Sequence, residues 1–280
     1  MRSTGGAGSG QDQTDSVQNF GGCRMKKLLA MLLMACTFAS LPVWAEQLTG
    51  ETRRAQIHTE LGAGYFGMGK LGVALEELNV AIKSDSKYAP AYNILGLVYM
   101  ELREFDKADE SFKRSLSLDS SNSDAHNNYG WFLCQRNRMD EAIGYFMNAL
   151  KNPLYSTPEK AYLNAGQCSL KKGDDQGAED FFLRAIKFQP APPHALYYLA
   201  DIQFRRAKYN DAQFYLEQFM KSGQTPEGLW LGARIAHRIG NRDAEANYGL
   251  QLRKNFPDSR EAIAYRNGQF DNTGTVEGRK

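Results

Sequence analysis

The chain has 280 residues, of which 42% are apolar, so it is long enough to bury a core. Lysine and arginine number 34 against 32 aspartate and glutamate. Four of these cations and two of these anions precede Glu46, which leaves 30 of each in the rest of the chain. A chain this close to neutrality lacks the basic surface from which nucleic-acid binders draw most of their affinity.

The N-terminal part of the sequence predicts an export signal. Residues 1–24 are rich in Gly, Ser, Gln and Asp without apolar periodicity, and we interpret them as a disordered extension or a mis-assigned start. From Met25, two lysines form a positive n-region, residues 28–38 an apolar h-region and residues 43–45 a small-residue cleavage site. The apolar run is too short to favour a membrane-spanning helix, so residues 25–45 are predicted to be a signal peptide.

A second processing route lies inside this signal. The run Leu33-Met34-Ala35-Cys36 resembles the lipobox of bacterial lipoproteins, in which the cysteine is acylated and becomes the mature N-terminus. The residues leave two routes open, acylation of Cys36 or cleavage after Ala45 with Cys36 discarded. Either route exports the rest of the chain from the cytoplasm.

A helix-hairpin pattern recurs along the rest of the chain. In its clearest copy, residues 92–99 place Gly96 on the apolar face of a first helix, and residues 108–115 place Ala108 and Phe112 on the apolar face of a second. Small residues let the two backbones approach, and aromatic residues fill the space between them. With a period close to 34 residues, the pattern matches the tetratricopeptide repeat, and its six copies begin at Ala55, Ala89, Ser123, Glu159, Pro193 and Glu227.

The period predicts the fold class. We expect an all-α, right-handed superhelix of six tetratricopeptide hairpins over residues 55–258, whose first helices line a concave groove. A linker over residues 46–54 precedes the array. A short capping helix that starts around Asp258 and a tail complete the chain over residues 259–280.

Two copies depart from the regular period. Two extra residues precede copy four in the proline-containing stretch 152–158, which predicts a longer loop there. Copy six departs most, with Arg234 where a small residue is usual and His237 where an aromatic residue is usual. Terminal repeats are often atypical because their outer face meets water.

The first helices carry the candidate groove residues. A carboxamide both donates and accepts hydrogen bonds, which suits a peptide backbone, and a partly exposed apolar side chain anchors a partner. The alternative is that the asparagines cap or bond within the chain and that Trp131 packs between repeats. The candidates are Phe66, Asn93, Leu97, Met100, Asn127, Asn128, Trp131 and Asn164.

Two cysteines lie on the first helices of neighbouring copies. Export to an oxidising compartment permits a disulfide between Cys134 and Cys168. Neighbouring first helices bring their Cα atoms towards the limit of roughly 7 Å that a disulfide allows. The alternative is a pair of buried free thiols.

The sequence contains no catalytic or metal-binding pattern. Its four histidines are scattered, without a second ligand at metal-binding spacing. The glycines of residues 62–69 lie within a helical hairpin and follow no strand, so a phosphate-binding loop is disfavoured. We therefore expect a binding protein without enzyme activity, cofactor or metal.

Four stretches are more specific than the repeat itself. They are residues 127–134, which read Asn-Asn-Tyr-Gly-Trp-Phe-Leu-Cys, together with residues 152–155, 248–253 and 256–259. With the export signal and the six repeats, they resemble the type IV pilus biogenesis and stability family (PilW/PilF type) of Gram-negative bacteria. The resemblance covers residues 55–265.

This resemblance implies a lipoprotein on the periplasmic side of the outer membrane. Such a protein acts as a pilotin: it helps the outer-membrane secretin reach its place and form its ring, and it supports assembled pili. The resemblance favours acylation of Cys36, with the protein in the soluble periplasm if that residue is not acylated. It implies the secretin and possible further pilus assembly proteins as partners. The alternative function is a soluble periplasmic scaffold for envelope or cell-wall proteins.

Overall fold

The computed structural model of the protein describes residues 50–270. This part of the chain forms thirteen α-helices and no strand. In chain order the helices are α1 (Gly50–Gly67), α2 (Leu71–Ser84), α3 (Ala89–Glu101), α4 (Phe105–Leu118), α5 (Ser123–Gln135), α6 (Met139–Ala149), α7 (Pro158–Lys172), α8 (Asp175–Ala185), α9 (Pro193–Arg205), α10 (Tyr209–Met220), α11 (Pro226–Ile239), α12 (Arg242–Asn255) and α13 (Arg260–Arg266).

The first helix begins earlier than the sequence predicted. Residues 50–54, expected to belong to the linker, form the start of α1. Glu51 lies in its first turn, where the helix dipole favours negative charge. The hydroxyl of Thr52 donates to a carboxylate oxygen of Asp85 at 2.9 Å, which ties this turn to the end of the first hairpin. The predicted export signal and Cys36 lie outside the described residues, and within residues 50–270 no helix is long and apolar enough to cross a membrane.

Consecutive helices pair as hairpins, from α1 with α2 to α11 with α12. Glycine makes the close approach possible. A Cβ atom at Gly96 would lie 2.6 Å from the ring of Phe112, and one at Gly130 would lie 2.8 Å from the ring of Phe146. These distances are too short for packed atoms, so a larger residue at the glycine would push the helices apart. The pairing of a small and an aromatic residue therefore sets the distance between the two helices.

The hairpins stack in chain order. The second helix of each hairpin contacts the first helix of the next, and the first helices α1, α3, α5 and α7 contact one another in turn. On the stacked faces Leu95, Tyr129 and Leu199 are 3%, 1% and 0% exposed. The equivalent position on α1 is Leu61, which is 43% exposed because no hairpin precedes α1 in the described part of the chain. Each hairpin therefore depends on its neighbour to bury its apolar face.

Copy six begins two residues earlier than predicted. Its close contact joins Gly232 to the ring of Tyr248, since a Cβ atom at this glycine would lie 2.7 Å from that ring. The start at Glu227, with Ala246 and Leu250 as core positions, was therefore wrong, and both of these α12 residues are exposed. The cause is a shorter connection between copies, since Leu216 and Gly232 are 16 residues apart, whereas Phe112 and Gly130 are 18 residues apart.

The corrected register gives Arg234 a different role. This arginine does not replace the small residue of the hairpin contact, which is Gly232. It lies on the face of α11 that meets the preceding hairpin, it is 6% exposed, and its guanidinium carbon is 4.4 Å from the centre of the Phe204 ring. The contact is a cation–π interaction that lets a buried arginine pack between repeats.

The loop between α6 and α7 is long, as predicted. It covers residues 150–157 and is held by Tyr155, which is 8% exposed and packs against Ala149 and Ala161. Burial raises the pKa of Tyr155 to about 12. The extra residues are thus accommodated at the edge of the stack, without a break in it.

A short helix closes the array. The N-cap of α13 is Ser259, whose hydroxyl accepts the N–H of Ala262 at 3.1 Å. The predicted start at Asp258 was therefore one residue too early. Ala262 is fully buried against Leu229 and Trp230 of α11, so α13 covers the end of the sixth hairpin.

Candidate protein-binding groove

The eight predicted groove residues all lie on first helices. Phe66 belongs to α1 and Asn164 to α7, while α3 and α5 carry three residues each. Because α1, α3, α5 and α7 contact one another in turn, the structure brings the eight residues into one series across four copies. In chain order they are Phe66, Asn93, Leu97, Met100, Asn127, Asn128, Trp131 and Asn164.

The four asparagines form a carboxamide ladder between copies. The Nδ2 group of Asn128 donates to Oδ1 of Asn93 at 3.2 Å, and that of Asn164 donates to Oδ1 of Asn127 at 3.0 Å. The two acceptors are 6% and 7% exposed, whereas the two donors are half-buried. The sequence left open that the asparagines bond within the chain. Asn128 and Asn164 each do so with one N–H group.

Each donor carboxamide retains hydrogen-bonding capacity. A carboxamide offers two N–H donors and an oxygen with two acceptor positions. Within residues 50–270, Asn128 and Asn164 each use one N–H for the ladder. One N–H and the Oδ1 atom of each of these two side chains are thus left for another partner.

The apolar candidates are half-buried beside the ladder. Leu97, Met100 and Trp131 pack against the core cluster that contains Phe112 and Tyr129, and each keeps part of its surface exposed. Phe66 packs in the same way against the cluster that contains Ala74 and Leu78. These side chains therefore combine packing within the array with an accessible apolar surface.

A disulfide joins the two helices that carry the second bond of the ladder. Cys134 of α5 and Cys168 of α7 are paired, with their Cα atoms 5.8 Å apart, and they are 1% and 0% exposed. The ammonium of Lys171 donates to the backbone oxygen of Cys134 at 3.2 Å. The disulfide and the bond from Asn164 to Asn127 thus connect α5 and α7 at two levels.

A partly buried hydrogen bond between a tyrosine and a carboxylate joins α5 to α4 behind the groove. The Tyr129 hydroxyl donates to a carboxylate oxygen of Asp109 at 2.8 Å. Burial and this carboxylate raise the pKa of Tyr129. Burial alone would raise the pKa of Asp109, but the hydrogen bonds from Lys113 and Tyr129 hold it below its usual value. Tyr129 therefore stays a neutral donor, which orients α5 against α4.

Three of the four histidines make hydrogen-bonding contacts within the described residues. His58 contacts Glu77 at 2.6 Å, His237 contacts Glu245 at 3.1 Å, and His126 bonds to a backbone oxygen. Among residues 50–270, no group of three or more His, Cys, Asp and Glu side chains is placed to hold a metal ion. The described part of the chain therefore offers a binding surface as its candidate site.

Sequence reasoning missed one feature of the last first helix. On α11, Trp230 and His237 contact the ring of Phe270, which follows the last helix, and Arg234 donates to its backbone oxygen. The predicted register of copy six was shifted by two residues, so Trp230 was not aligned with the ladder residue Asn128. A Gly-to-aromatic spacing of 16 residues, as in Gly232 and Tyr248, is the signal that would have found this alignment.

Family models described as tetratricopeptide repeat match residues 95–156, 159–192 and 194–222. These matches fall within copies two to five of the array. Together with the order of the helices, they confirm the predicted all-α superhelix of tetratricopeptide hairpins.

Relatives with a known role match along most of the chain. The type IV pilus assembly protein PilF of Pseudomonas aeruginosa is 31% identical over 84% of this chain and 93% of its own length. The crystal structure of PilW, a widely conserved type IV pilus biogenesis factor, matches with a TM-score of 0.68 at 36% identity, over 75% of this chain and 97% of PilW. A solved structure of Pseudomonas aeruginosa PilF matches with a TM-score of 0.72 at 30% identity, over 78% and 99% of the two chains. This chain therefore belongs to the PilF and PilW family of type IV pilus biogenesis proteins.

Proposed function

We propose that this protein is a non-enzymatic pilotin, an assembly factor of the type IV pilus that acts by binding. Its partner is the outer-membrane secretin, which it helps to reach its place and to form multimers, and assembled pili are stabilised as a result. Membership of the PilF and PilW family supports the link to the pilus. The series of groove residues on four first helices supports binding as the activity.

The carboxamide ladder is the observation that carries this proposal. An extended peptide presents N–H and C=O groups along its length, and Asn128 and Asn164 each offer a free N–H and a free oxygen to them. The bonds to Asn93 and Asn127 hold the two carboxamides in place before a partner arrives. A pre-positioned polar group loses less conformational entropy on binding than a mobile one.

Apolar contacts supply the anchor. Leu97, Met100 and Trp131 lie on the same helices as the ladder and keep part of their surface exposed. Covering this surface with an apolar side chain of the partner removes it from water. Aromatic anchors near the centre of an interface contribute most to affinity, so Trp131 is the residue on which binding depends most strongly.

The N-terminal sequence supports a proposal for the location. We propose that residues 25–45 direct export and that acylation of Cys36 anchors the protein on the periplasmic side of the outer membrane. Labelling with radioactive palmitate should mark the wild type and leave Cys36→Ser unlabelled. Absence of label on the wild type, together with recovery in the soluble periplasmic fraction, would favour the soluble scaffold instead.

A capture experiment tests the binding role. Immobilised wild-type protein should retain secretin from detergent-solubilised outer membranes, and Trp131→Ala should retain about tenfold less. Phe214→Ala is the matched control, because Phe214 is an aromatic residue, 57% exposed, on the second helix α10, away from the groove. Equal capture by the wild type and Trp131→Ala, with both folded by circular dichroism, would contradict the proposal.

A further inference from the structure

The last described residues fold back onto the first helix of copy six. After α13 ends at Arg266, Gly268 takes a φ of +64°, which favours glycine, and the chain reverses. The N–H of Gln269 donates to the backbone oxygen of Ala264 at 3.0 Å and closes the helix end. This turn brings Phe270 onto α11.

Phe270 lies against three residues of α11. Its ring stacks on His237 with the centroids 4.2 Å apart and the planes 6° from parallel, and its centroid is 5.3 Å from that of Trp230. The Nε group of Arg234 donates to the backbone oxygen of Phe270 at 3.4 Å. Residues four and three apart share one face of a helix, so α11 holds an aromatic side chain and its carbonyl on a single stripe.

One residue of this stripe matches the groove in copies three and four. Trp230 lies two residues before Gly232, just as Asn128 lies two residues before Gly130. In the register set by these glycines, Trp230 therefore occupies the place of the ladder carboxamide, whereas Arg234 corresponds to the buried Phe132 and His237 to Gln135. Phe270 therefore covers, on copy six, the position that carries the ladder carboxamide in the middle of the array.

We propose that Trp230, Arg234 and His237 form a binding subsite for an aromatic side chain and that Phe270 fills it in the free protein. The ligand is an extended peptide segment that places an aromatic ring on His237 and accepts a hydrogen bond from Arg234 through its backbone carbonyl. When such a segment binds, its aromatic ring displaces the ring of Phe270 from the subsite. The inference goes beyond the proposed function, because this subsite lies on α11 and its ligand does not have to be the secretin.

The contacts of the tail suit such an exchange. Phe270 is held by ring contacts with His237 and Trp230 of α11 and Tyr265 of α13 and by one hydrogen bond, and the side chain of His237 is 44% exposed. The helix α13 has its own anchors, since Leu252 and Ala262 are fully buried in the cluster that fixes it. The ring can therefore leave its place while the last helix stays docked.

The test uses full-length protein and a peptide of the tail itself. A fluorescein-labelled peptide of residues 267–275 should bind Phe270→Ala at least about tenfold more tightly than the wild type, measured by fluorescence anisotropy. In the wild type the tethered ring competes at an effective concentration in the millimolar range. The same peptide with alanine in place of Phe270 should bind neither protein, and Phe214→Ala should behave as the wild type.

Two further measurements separate a binding subsite from a structural cap. Adding His237→Ala to Phe270→Ala should remove the gain in peptide affinity, because the ring then has no stacking partner. The Tm of Phe270→Ala should stay within a few degrees of that of the wild type. Equal peptide binding by wild type and Phe270→Ala would overturn the proposal, as would a gain that persists without His237. A fall in Tm of more than about 10 °C would also overturn it, since the ring would then belong to the core.

Discussion

A single glycine decides how closely the helices of one hairpin approach. A Cβ atom at Gly130 would lie 2.8 Å from the ring of Phe146 and 3.1 Å from the backbone oxygen of Ala142. We expect Gly130→Ala to lower the free energy of unfolding by about 1–3 kcal/mol, as overpacking does. Gly144 is the control, because it lies in α6 with no atom within 4 Å of an added Cβ, and Gly144→Ala should raise that free energy by about 0.5–1 kcal/mol. Urea unfolding of both variants checks the signs, and equal effects would contradict the packing account.

The second bond of the carboxamide ladder has a measurable energy. Asn164 and Asn127 are joined at 3.0 Å, so removing either side chain removes the same bond. A double-mutant cycle of Asn127→Ala and Asn164→Ala should give a coupling of about 0.5–1.5 kcal/mol in the free energy of unfolding. The pair Asn93→Ala and Asn164→Ala shares no bond and should be additive within about 0.5 kcal/mol. Additivity in both pairs would show that the bond between Asn164 and Asn127 contributes nothing to stability.

For the groove residues, the sequence predicted the helix of each residue but not the partner of its side chain. The period placed the four asparagines on the correct helices, because side-chain direction in a helix follows from position alone. It did not decide whether a carboxamide faces a partner or a neighbouring copy. That outcome depends on the distance between α3, α5 and α7, which the packing of many side chains sets.

The disulfide acts on whole elements, because it joins α5 to α7. Cys134 and Cys168 are both buried, so their oxidation closes a loop that spans one repeat. We expect Cys134→Ser with Cys168→Ser to lower the free energy of unfolding by about 2–4 kcal/mol. Thiol titration of unreduced, denatured protein should find this pair unreactive, and reduction should expose both thiols. Because Cys23 and Cys36 also carry thiols, peptide mapping locates the label, and label on Cys134 or Cys168 before reduction would show that the bridge does not form.

The elements were predictable wherever the spacing of glycine and aromatic residues stayed regular. Pairs such as Gly96 with Phe112 mark a hairpin because close approach needs a small residue opposite a large one. Copy six was misplaced because the stretch from Leu216 to Gly232 is two residues shorter than that from Phe112 to Gly130, at a place where the repeat requires no particular residue. Phe270 had no signal of its own, since its contact with α11 depends on a chain reversal after α13.

At the scale of the whole molecule, stability should vary along the array. Each hairpin contacts only its neighbours, so opening starts at the ends and moves inward. The disulfide between copies three and four stops this opening in the middle. We expect hydrogen exchange to be slowest in α5, α6, α7 and α8 and fastest in α1 and α13, as measured by mass spectrometry. Uniform protection along residues 50–270 would contradict this gradient.

The ladder also gives the groove a direction. Both of its bonds run from a later copy to an earlier one, from Asn128 to Asn93 and from Asn164 to Asn127. The free N–H and oxygen of the two donors therefore recur in the same order along the array. A peptide chain has a polarity of its own, so only one of its two orientations matches its donors and acceptors to this order. The groove should distinguish a partner segment from the same residues in reverse sequence, although both have the same composition, charge and apolar surface.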